Sequence, residues 1–161
     1  MTTTVFDPKE LRRIFSGCPS GVVAICAEID GAPTGMAVST FVPVSLEPAL
    51  VGVFIQNTSR TWPMLERGTR LGLSVLGSDN EYAATALAMK EGNRFESITT
   101  TVADSGAVYV DGATTWLEGA VWSKTSAGDH FMVLLEVHSA TIHDVAGPLI
   151  FHASNFHRLP A

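Results

Sequence analysis

Seven apolar segments of strand length dominate this 161-residue sequence, and tight turns rather than helices separate most of them. The segments cover residues 21–29, 34–44, 49–55, 70–76, 115–122, 131–145 and 148–152. Asp30-Gly31, between the first two, is a strong hairpin-turn signal. Because strands and helices do not alternate regularly, a parallel doubly wound sheet is disfavoured. The pattern predicts one mainly β domain over residues 1–161, a closed antiparallel barrel with peripheral helices.

Two or three helices are predicted around this barrel. Residues 7–15 begin with a capping aspartate and a first-turn proline, and glycine and proline end the segment. Residues 62–67 form a short predicted helix, and the alanine-rich residues 80–90 form a longer one. The polar residues 91–106 are predicted to be irregular.

Composition restricts the partners of the chain. Charged residues make up only 16% of the sequence against 46% hydrophobic ones, which predicts that part of the surface is covered in a symmetric homodimer. The net charge of −6 argues against nucleic acid, whose phosphates need a basic face. No segment is apolar for long enough to span a bilayer, and residues 1–4 lack the features of a signal peptide. We therefore expect a cytoplasmic protein without a membrane partner.

The sequence offers no convincing metal site. Five histidines are present, but no pair of them has His-x-x-x-His spacing on a predicted helix, and acidic partners are lacking. Cys18 and Cys26 are too few for a disulfide scaffold, and we expect both thiols to be buried or half-buried.

Residues 57–61, Asn-Thr-Ser-Arg-Thr, concentrate four small hydrogen-bonding side chains and one guanidinium between a buried strand and a predicted helix. Hydroxyls, backbone N–H groups and a helix N-terminus together form an anion site, and the arginine adds a bidentate donor for phosphate. The segment is therefore a candidate phosphate loop. An ordinary polar turn with a helix cap has the same composition and stays open as an alternative.

The predicted strand over residues 34–44 carries small residues on one face, namely Gly35, Ala37 and Ser39. Small side chains allow a flat ring to lie close to the backbone and bond to its N–H and C=O groups. Close packing against a neighbouring strand explains the same residues equally well. The segment is a candidate for binding the ring of a ligand.

Gly128-Asp129-His130 stands at the entrance to the 131–145 strand. His130 offers a hydrogen-bond donor or a stacking surface for a ligand, although Gly-Asp turns are also common without one. The sequence has no Gly-x-Ser-x-Gly elbow, no Walker motif and no dinucleotide fingerprint. Any nicotinamide binding therefore does not use a Rossmann domain.

In this order and spacing, the motifs resemble those of the short flavin reductases with the FMN-binding split-barrel fold, the reductase components of two-component flavin-dependent monooxygenases. The resemblance extends from about residue 6 to residue 159 and rests on residues 15–22, 35–41, 45–50, 57–61, 93–95, 128–130 and 148–152. Ala49, where the family often has a second proline, and Asn93, where an acidic residue is common, depart from the family pattern.

The resemblance implies an antiparallel split β-barrel that reduces FAD or FMN by hydride transfer from NADH or NADPH. It implies that His130 is the catalytic residue and positions the nicotinamide nucleotide without acting as an acid or base. It also implies a site at a homodimer interface, and a separate flavin-dependent monooxygenase or halogenase that receives the reduced flavin. The implied cofactor-binding residues are Met36, Ala37, Val38, Ser39, Thr40, Ser45, Leu46, Gln56, Asn57, Thr58, Ser59, Arg60, Thr61, Arg94, Phe95, Asp129, His130, Phe151 and His152.

Two choices between cofactors rest on the distribution of basic residues. We favour FAD over FMN because the loop after Ser59 carries no second basic residue to clamp a terminal phosphate. We favour NADH over NADPH because only Lys124 lies near the 128–130 turn as a partner for a 2′-phosphate. The sequence leaves open whether flavin is a substrate or a tightly bound group.

Three other functions are compatible with a barrel of this kind. A non-catalytic FMN-binding or sensing protein keeps the fold, but the 128–130 turn argues against it. A pyridoxamine-phosphate-oxidase-like enzyme needs basic residues for its substrate phosphate, and the C-terminal third supplies few. A structural or ligand-carrier barrel needs no flavin.

Overall fold

The computed structural model describes residues 6–145 and 147–160, so the prediction for residues 1–4 lies outside the described part. The described helices are α1 Pro8–Phe15, α2 Trp62–Leu65 and α3 Glu81–Leu87. The strands are β1 Ser20–Gly21, β2 Val23–Ile29, β3 Ala32–Val38, β4 Val42–Leu46, β5 Ala49–Gln56, β6 Leu71–Val75, β7 Thr100–Val102, β8 Val108–Val110, β9 Thr115–Ala127, β10 His130–Ile142, β11 Leu149–His152 and β12 Asn155–Arg158. The described helices lack the combination of length and apolarity that crossing a membrane requires.

Seven strands form one antiparallel sheet in the order β3-β2-β6-β9-β10-β5-β4. Its two outer strands, β3 and β4, are consecutive in the chain, so the sheet curls until its edges approach each other. Thr40, between them, donates from Oγ1 to the Phe54 carbonyl at 2.9 Å and accepts from the Phe54 N–H at 3.1 Å. The threonine hydroxyl therefore replaces a backbone ladder where the barrel closes.

This closure corrects the prediction of a single strand over residues 34–44. The chain leaves one edge of the sheet after Val38 and enters the opposite edge at Val42. Apolar residues continue through the break because Phe41 packs against the barrel core. The hydrophobic pattern alone therefore does not reveal the change of edge.

Strand β2 is buried on both faces, and it separates two hydrophobic clusters. Val23 and Ile25 point into the barrel with residues from β5, β6 and β10. Ala24 and Cys26 point outward into a second cluster formed with α3, β8 and β11. The Cys26 thiol is buried, as predicted. Cys18 is exposed, so the prediction of a buried or half-buried thiol is wrong there.

The second cluster contains short strands that the sequence did not predict. Strands β7 and β8 form a hairpin within the segment expected to be irregular and the residues just after it. Its backbone lies against β6, where a Cβ atom on Gly72 would stand only 2.2 Å from the Val108 carbonyl oxygen. The Val110 N–H donates to Ser74 Oγ at 2.9 Å. Strands of only three residues have no recognisable hydrophobic pattern, so these tertiary contacts could not be predicted from the sequence.

The remaining differences concern the ends of elements. Strand β12 pairs with β11 in what was predicted to be a tail, because its alternating polar residues form no apolar run. Helix α2 ends at Leu65 and α3 at Leu87, two and three residues before the predicted ends. Helix α1 forms as expected, and Asp7 caps it by accepting from the Lys9 N–H at 3.1 Å.

Candidate active site

A cavity of about 630 Å³ opens where β3, β5, β10 and the segment after α3 meet. This volume lies within the range of small-molecule sites. Its lining residues are Met36, Ala37, Val38, Ser39, Thr40, Phe54, Ile55, Gln56, Thr58, Ser59, Arg60, Thr61, Leu87, Ala88, Lys90, Glu91, Arg94 and His130.

The pairing of β5 with β10 brings two of the sequence motifs together. Gln56, the last residue of β5, lies opposite His130, the first residue of β10. The 57–61 loop therefore begins beside the 128–130 turn. The Asn57 N–H donates to the Asp129 carbonyl at 3.0 Å, and Asn57 Nδ2 donates to the Gly128 carbonyl at 3.3 Å. Asn57 thus joins the loop to the turn and does not itself line the cavity.

Residues 36–40 form the wall at the closure of the barrel. The Thr40 hydroxyl is already committed in both directions to Phe54, so this wall offers mainly its backbone and the Ser39 side chain. Gly35 has a packing explanation, because a Cβ atom there would lie 2.5 Å from Cys26 Sγ and 3.0 Å from Phe95 Cζ. For Gly35, the packing alternative therefore accounts for the small residue.

The 57–61 loop leads into α2, but this helix has only four residues and its first N–H groups are in use. The Trp62 N–H donates to Ser59 Oγ at 3.1 Å. The Met64 and Leu65 N–H groups both donate to the Thr61 carbonyl at 3.1 Å. The expected contribution of a helix N-terminus to an anion site is therefore wrong, because those donors stabilise the turn itself.

Other donors in this loop stay available. Within the described residues, the guanidinium groups of Arg12, Arg13 and Arg60 take part in no hydrogen bond or ion pair, whereas those of Arg67, Arg70, Arg94 and Arg158 have partners. Of the three without a partner, only Arg60 lines the cavity. The backbone N–H groups of Thr58, Arg60 and Thr61 likewise have no partner in the described chain. Successive N–H groups beside an unpaired guanidinium are typical of an anion site.

Arg94 connects three segments around the cavity. Its Nε donates to the Met89 carbonyl at 2.7 Å, and its Nη1 donates to the Gly35 carbonyl at 2.9 Å and to Thr61 Oγ1 at 2.8 Å. The guanidinium thus ties the segment after α3 to β3 and to the 57–61 loop. Three of its five N–H groups serve the fold of the site.

His130 lies at the rim of the cavity with its side chain 30% exposed. Its Nδ1 lies 2.7 Å from Asp129 Oδ1. This hydrogen bond, followed by the attraction of the imidazole charge, holds the pKa of Asp129 below its ordinary value of 3.8. Because Nδ1 faces Asp129, Nε2 is the ring nitrogen left for a ligand.

Seven of the expected cofactor-binding residues lie outside the cavity lining of the single chain: Ser45, Leu46, Asn57, Phe95, Asp129, Phe151 and His152. Phe95 and Phe151 pack against the outer hydrophobic cluster. Ser45 and Leu46 belong to the edge strand β4, where Leu46 is 99% exposed. The ring of His152 lies 5.9 Å from that of His157.

Six lining residues were not predicted from the sequence: Phe54, Ile55, Leu87, Ala88, Lys90 and Glu91. Phe54 and Ile55 belong to an apolar run that looks like ordinary core. Lys90 and Glu91 follow α3 and reach the cavity only because that segment folds over β3. Lys90 lines the same cavity as Arg60 and adds a basic residue from outside the 57–61 loop, which the prediction of FAD did not include.

The chain matches the family described as flavin reductase like domain over residues 15–160. A protein named flavin reductase from Pseudomonas putida is 29% identical over 154 residues, covering 95% of this chain and 91% of the relative. The solved structure of the Streptomyces globisporus NADH:FAD oxidoreductase SgcE6, in complex with NAD and FAD fragments, superposes with a TM-score of 0.89, 30% identity and 98% coverage of both chains.

A second solved structure is BorF, the flavin reductase component of a bacterial two-component tryptophan halogenase. It superposes with a TM-score of 0.87 and 29% identity, covering 96% of this chain and 99% of BorF. These superpositions confirm the predicted mainly antiparallel split-barrel fold.

Proposed function

The chain belongs to the flavin reductase like domain family, and from this premise we propose that it transfers hydride from NAD(P)H to FAD or FMN and releases the reduced flavin to a separate monooxygenase or halogenase. The observation that carries this proposal is one cavity that combines a backbone wall, an unpaired Arg60 and the His130 ring. The partner class is supported by the two-component system named for BorF.

The donor set of the cavity fits a flavin nucleotide. Met36, Val38 and Phe54 provide apolar contacts and backbone groups of the kind that a flat, partly polar ring needs. Arg60 and the adjacent backbone N–H groups suit a phosphate, which requires several convergent donors. The same cavity therefore offers groups for the flavin ring and groups for its phosphate.

When both nucleotides are bound, the hydride passes from nicotinamide to flavin, and this chemistry belongs to the cofactors. The residues of the chain would orient the two rings. Residues 38–40 would hold the polar edge of the flavin through their backbone groups. Ser59, Arg60 and Thr61 would hold the flavin phosphate, and His130 Nε2 would contact the nicotinamide nucleotide.

NADH is the donor that the charged groups favour. Lys124, the basic residue considered for a 2′-phosphate, donates to Glu66 Oε1 at 2.7 Å and lies over the Phe131 ring at 4.8 Å from its centroid. A lysine that is already paired offers less to NADPH. For the flavin, the similarity to an NADH:FAD oxidoreductase supports FAD.

We also propose a cytoplasmic homodimer, because NAD(P)H is supplied in that compartment and the edge strand β4 is apolar. Val42 and Val44 are 47% and 51% exposed, and Leu46 is 99% exposed. A bare apolar edge strand is ordinarily covered in the functional assembly. Leu46→Arg is expected to shift the sedimentation coefficient from dimer to monomer, whereas a wild-type chain that sediments as a monomer contradicts this part of the proposal.

The proposed activity is tested by following NADH and NADPH oxidation with FAD, FMN or no flavin added. We expect oxidation that requires flavin and saturates with it, faster with NADH than with NADPH. His130→Ala is expected to raise the KM for NADH about tenfold while flavin binding is kept. A folded protein that binds flavin but oxidises neither nucleotide would contradict the reductase proposal and favour the non-catalytic flavin-binding alternative.

A further inference from the structure

Three hydroxyl groups around the cavity differ in the direction of their hydrogen bonds. The Thr40 hydroxyl donates its proton to the Phe54 carbonyl and is therefore used up within the chain. Thr61 Oγ1 accepts from the Arg94 Nη1 at 2.8 Å, so its own proton stays available. Ser59 Oγ accepts from the Trp62 N–H and keeps its proton in the same way. The hydroxyls of Ser59 and Thr61 can therefore each donate a hydrogen bond to a ligand.

We propose that Arg94 is a positioning residue that acts through Thr61, fixing the Thr61 hydroxyl as an acceptor so that its proton points to the flavin phosphate. The inference rests on the proposed flavin-binding function and assigns Arg94 a role different from direct contact with the flavin. A hydroxyl has one proton, so a cationic donor on its lone pairs removes the competing orientations.

The position of the Arg94 guanidinium is set by its other two bonds. Nε is held by the Met89 carbonyl at 2.7 Å, and Nη1 is also held by the Gly35 carbonyl at 2.9 Å. Both acceptors are backbone oxygens, and the side chain is half-buried. A planar guanidinium can satisfy all three acceptors together, whereas a lysine ammonium lacks this fixed fork. Lysine at position 94 therefore keeps the charge and loses the geometry.

Arg60 and Arg94 therefore have different roles in phosphate binding. Arg60 has no partner in the described chain and is available to contact the anion itself. Arg94 has three partners and contributes through one of them. The two arginines are therefore expected to respond differently when Thr61 is changed, and this difference can be measured.

The test is a double-mutant cycle on flavin binding, followed by the quenching of flavin fluorescence, with FMN and riboflavin as probes. Riboflavin has the same ring and no phosphate. We expect Arg94→Lys and Thr61→Val each to weaken FMN binding about tenfold and to leave riboflavin binding unchanged. The double variant is expected to lose about as much as either single variant, because both changes remove one interaction.

Matched controls separate this role from others. Thr61→Ser keeps the hydroxyl and is expected to bind FMN like the wild type. Arg60→Ala combined with Thr61→Val is expected to show losses that multiply, because Arg60 acts independently of Thr61. Arg94→Gln, which keeps a planar amide donor, replaces the lysine variant if that variant does not fold, and it too is expected to lose FMN affinity non-additively with Thr61→Val.

Two results would overturn the inference. Losses from Arg94→Lys and Thr61→Val that multiply to about a hundredfold would show that Arg94 contacts the phosphate directly. Equal weakening of FMN and riboflavin by Arg94→Lys would show that the arginine only maintains the shape of the cavity. A wild-type protein that binds FMN no better than riboflavin would instead refute the proposed phosphate loop, so the two failures are distinguishable.

Discussion

Two polar regions of this barrel use their charged side chains in opposite ways. In the first, which we call the Glu118 cluster, Glu118 binds Arg70, Ser105 and Tyr109 at distances of 3.3, 3.0 and 3.3 Å. In the second, the cavity, Arg60 has no partner among the described residues. The charge of Glu118 is therefore paired within the chain, whereas the charge of Arg60 is available to a ligand.

The contrast separates groups that serve folding from groups that serve binding. Removing a member of the Glu118 cluster leaves partners unsatisfied, which lowers the free energy of unfolding. Removing Arg60 leaves no hydrogen-bond partner unsatisfied among the described residues. Substitutions in the Glu118 cluster should therefore change the free energy of unfolding, whereas substitution of Arg60 should change ligand affinity.

The largest effect is expected at Gly72, which pairs with Glu118 across strands β6 and β9. A Cβ atom at Gly72 would lie 2.2 Å from the Val108 carbonyl oxygen, so the β7–β8 hairpin must move away. Gly72→Ala is expected to lower the free energy of unfolding by about 3 kcal/mol or more in urea denaturation. Gly21→Ala, where a Cβ atom meets nothing within 4 Å, is the control and should unfold like the wild type.

The second effect is a loss of affinity without a loss of stability. Arg60→Ala is expected to weaken FMN binding by about tenfold to a hundredfold, because a charged hydrogen bond to phosphate is lost. The free energy of unfolding should stay within about 0.5 kcal/mol of the wild type. Arg67→Ala is the matched control, since Arg67 pairs with Asp30 at 2.9 Å on the surface and should not affect FMN. Equal FMN affinity in Arg60→Ala would remove the distinction between the regions.

A smaller effect concerns the pH dependence of stability at Tyr109 of the Glu118 cluster. Burial, followed by the charge of Glu118 and its hydrogen bond, raises the pKa of Tyr109 from 10.0 to about 12. The unfolded chain loses this proton first as the pH rises, so stability is lost between these two values. Wild type should lose about 1 kcal/mol more than Tyr109→Phe across this window in urea denaturation. An identical pH dependence of both proteins would show that neither the burial of the Tyr109 hydroxyl nor its contact with Glu118 changes stability in this window.

The smallest effect is expected at Asp129, whose side chain is 95% exposed although it binds His130. Asp129→Asn keeps the shape and weakens the hold on the His130 ring. We expect the KM for NADH to rise about threefold with kcat and the melting temperature unchanged. A fall in melting temperature instead would place this pair with the Glu118 cluster, among the contacts that serve folding.

The sequence was sufficient for those parts of the site that are contiguous in the chain. The 57–61 loop and the 128–130 turn each carry their chemistry within a few residues, and antiparallel pairing of β5 and β10 joins them. The apolar runs likewise predicted most of the long strands, because a period of two and turn residues are local signals. The family match confirms the resemblance that these motifs indicated.

The parts that the sequence could not provide depend on contacts between distant segments. Lys90 reaches the cavity because the segment after α3 folds over β3, and no local pattern contains that information. The bonds of Arg94 join residues 33 and 59 positions away in the chain. The break at residues 39–41 arises from barrel closure, which apolar residues on both sides conceal.

The central claim, that Arg60 is left unpaired for the phosphate of a flavin, is tested most directly by the ratio of FMN to riboflavin affinity. The measurement is a fluorescence titration of wild type and Arg60→Ala at low and at high salt. We expect wild type to prefer FMN by about tenfold or more, salt to reduce this preference, and Arg60→Ala to lose most of it. An unchanged ratio in Arg60→Ala, or no preference in the wild type, would show that Arg60 does not bind the flavin phosphate.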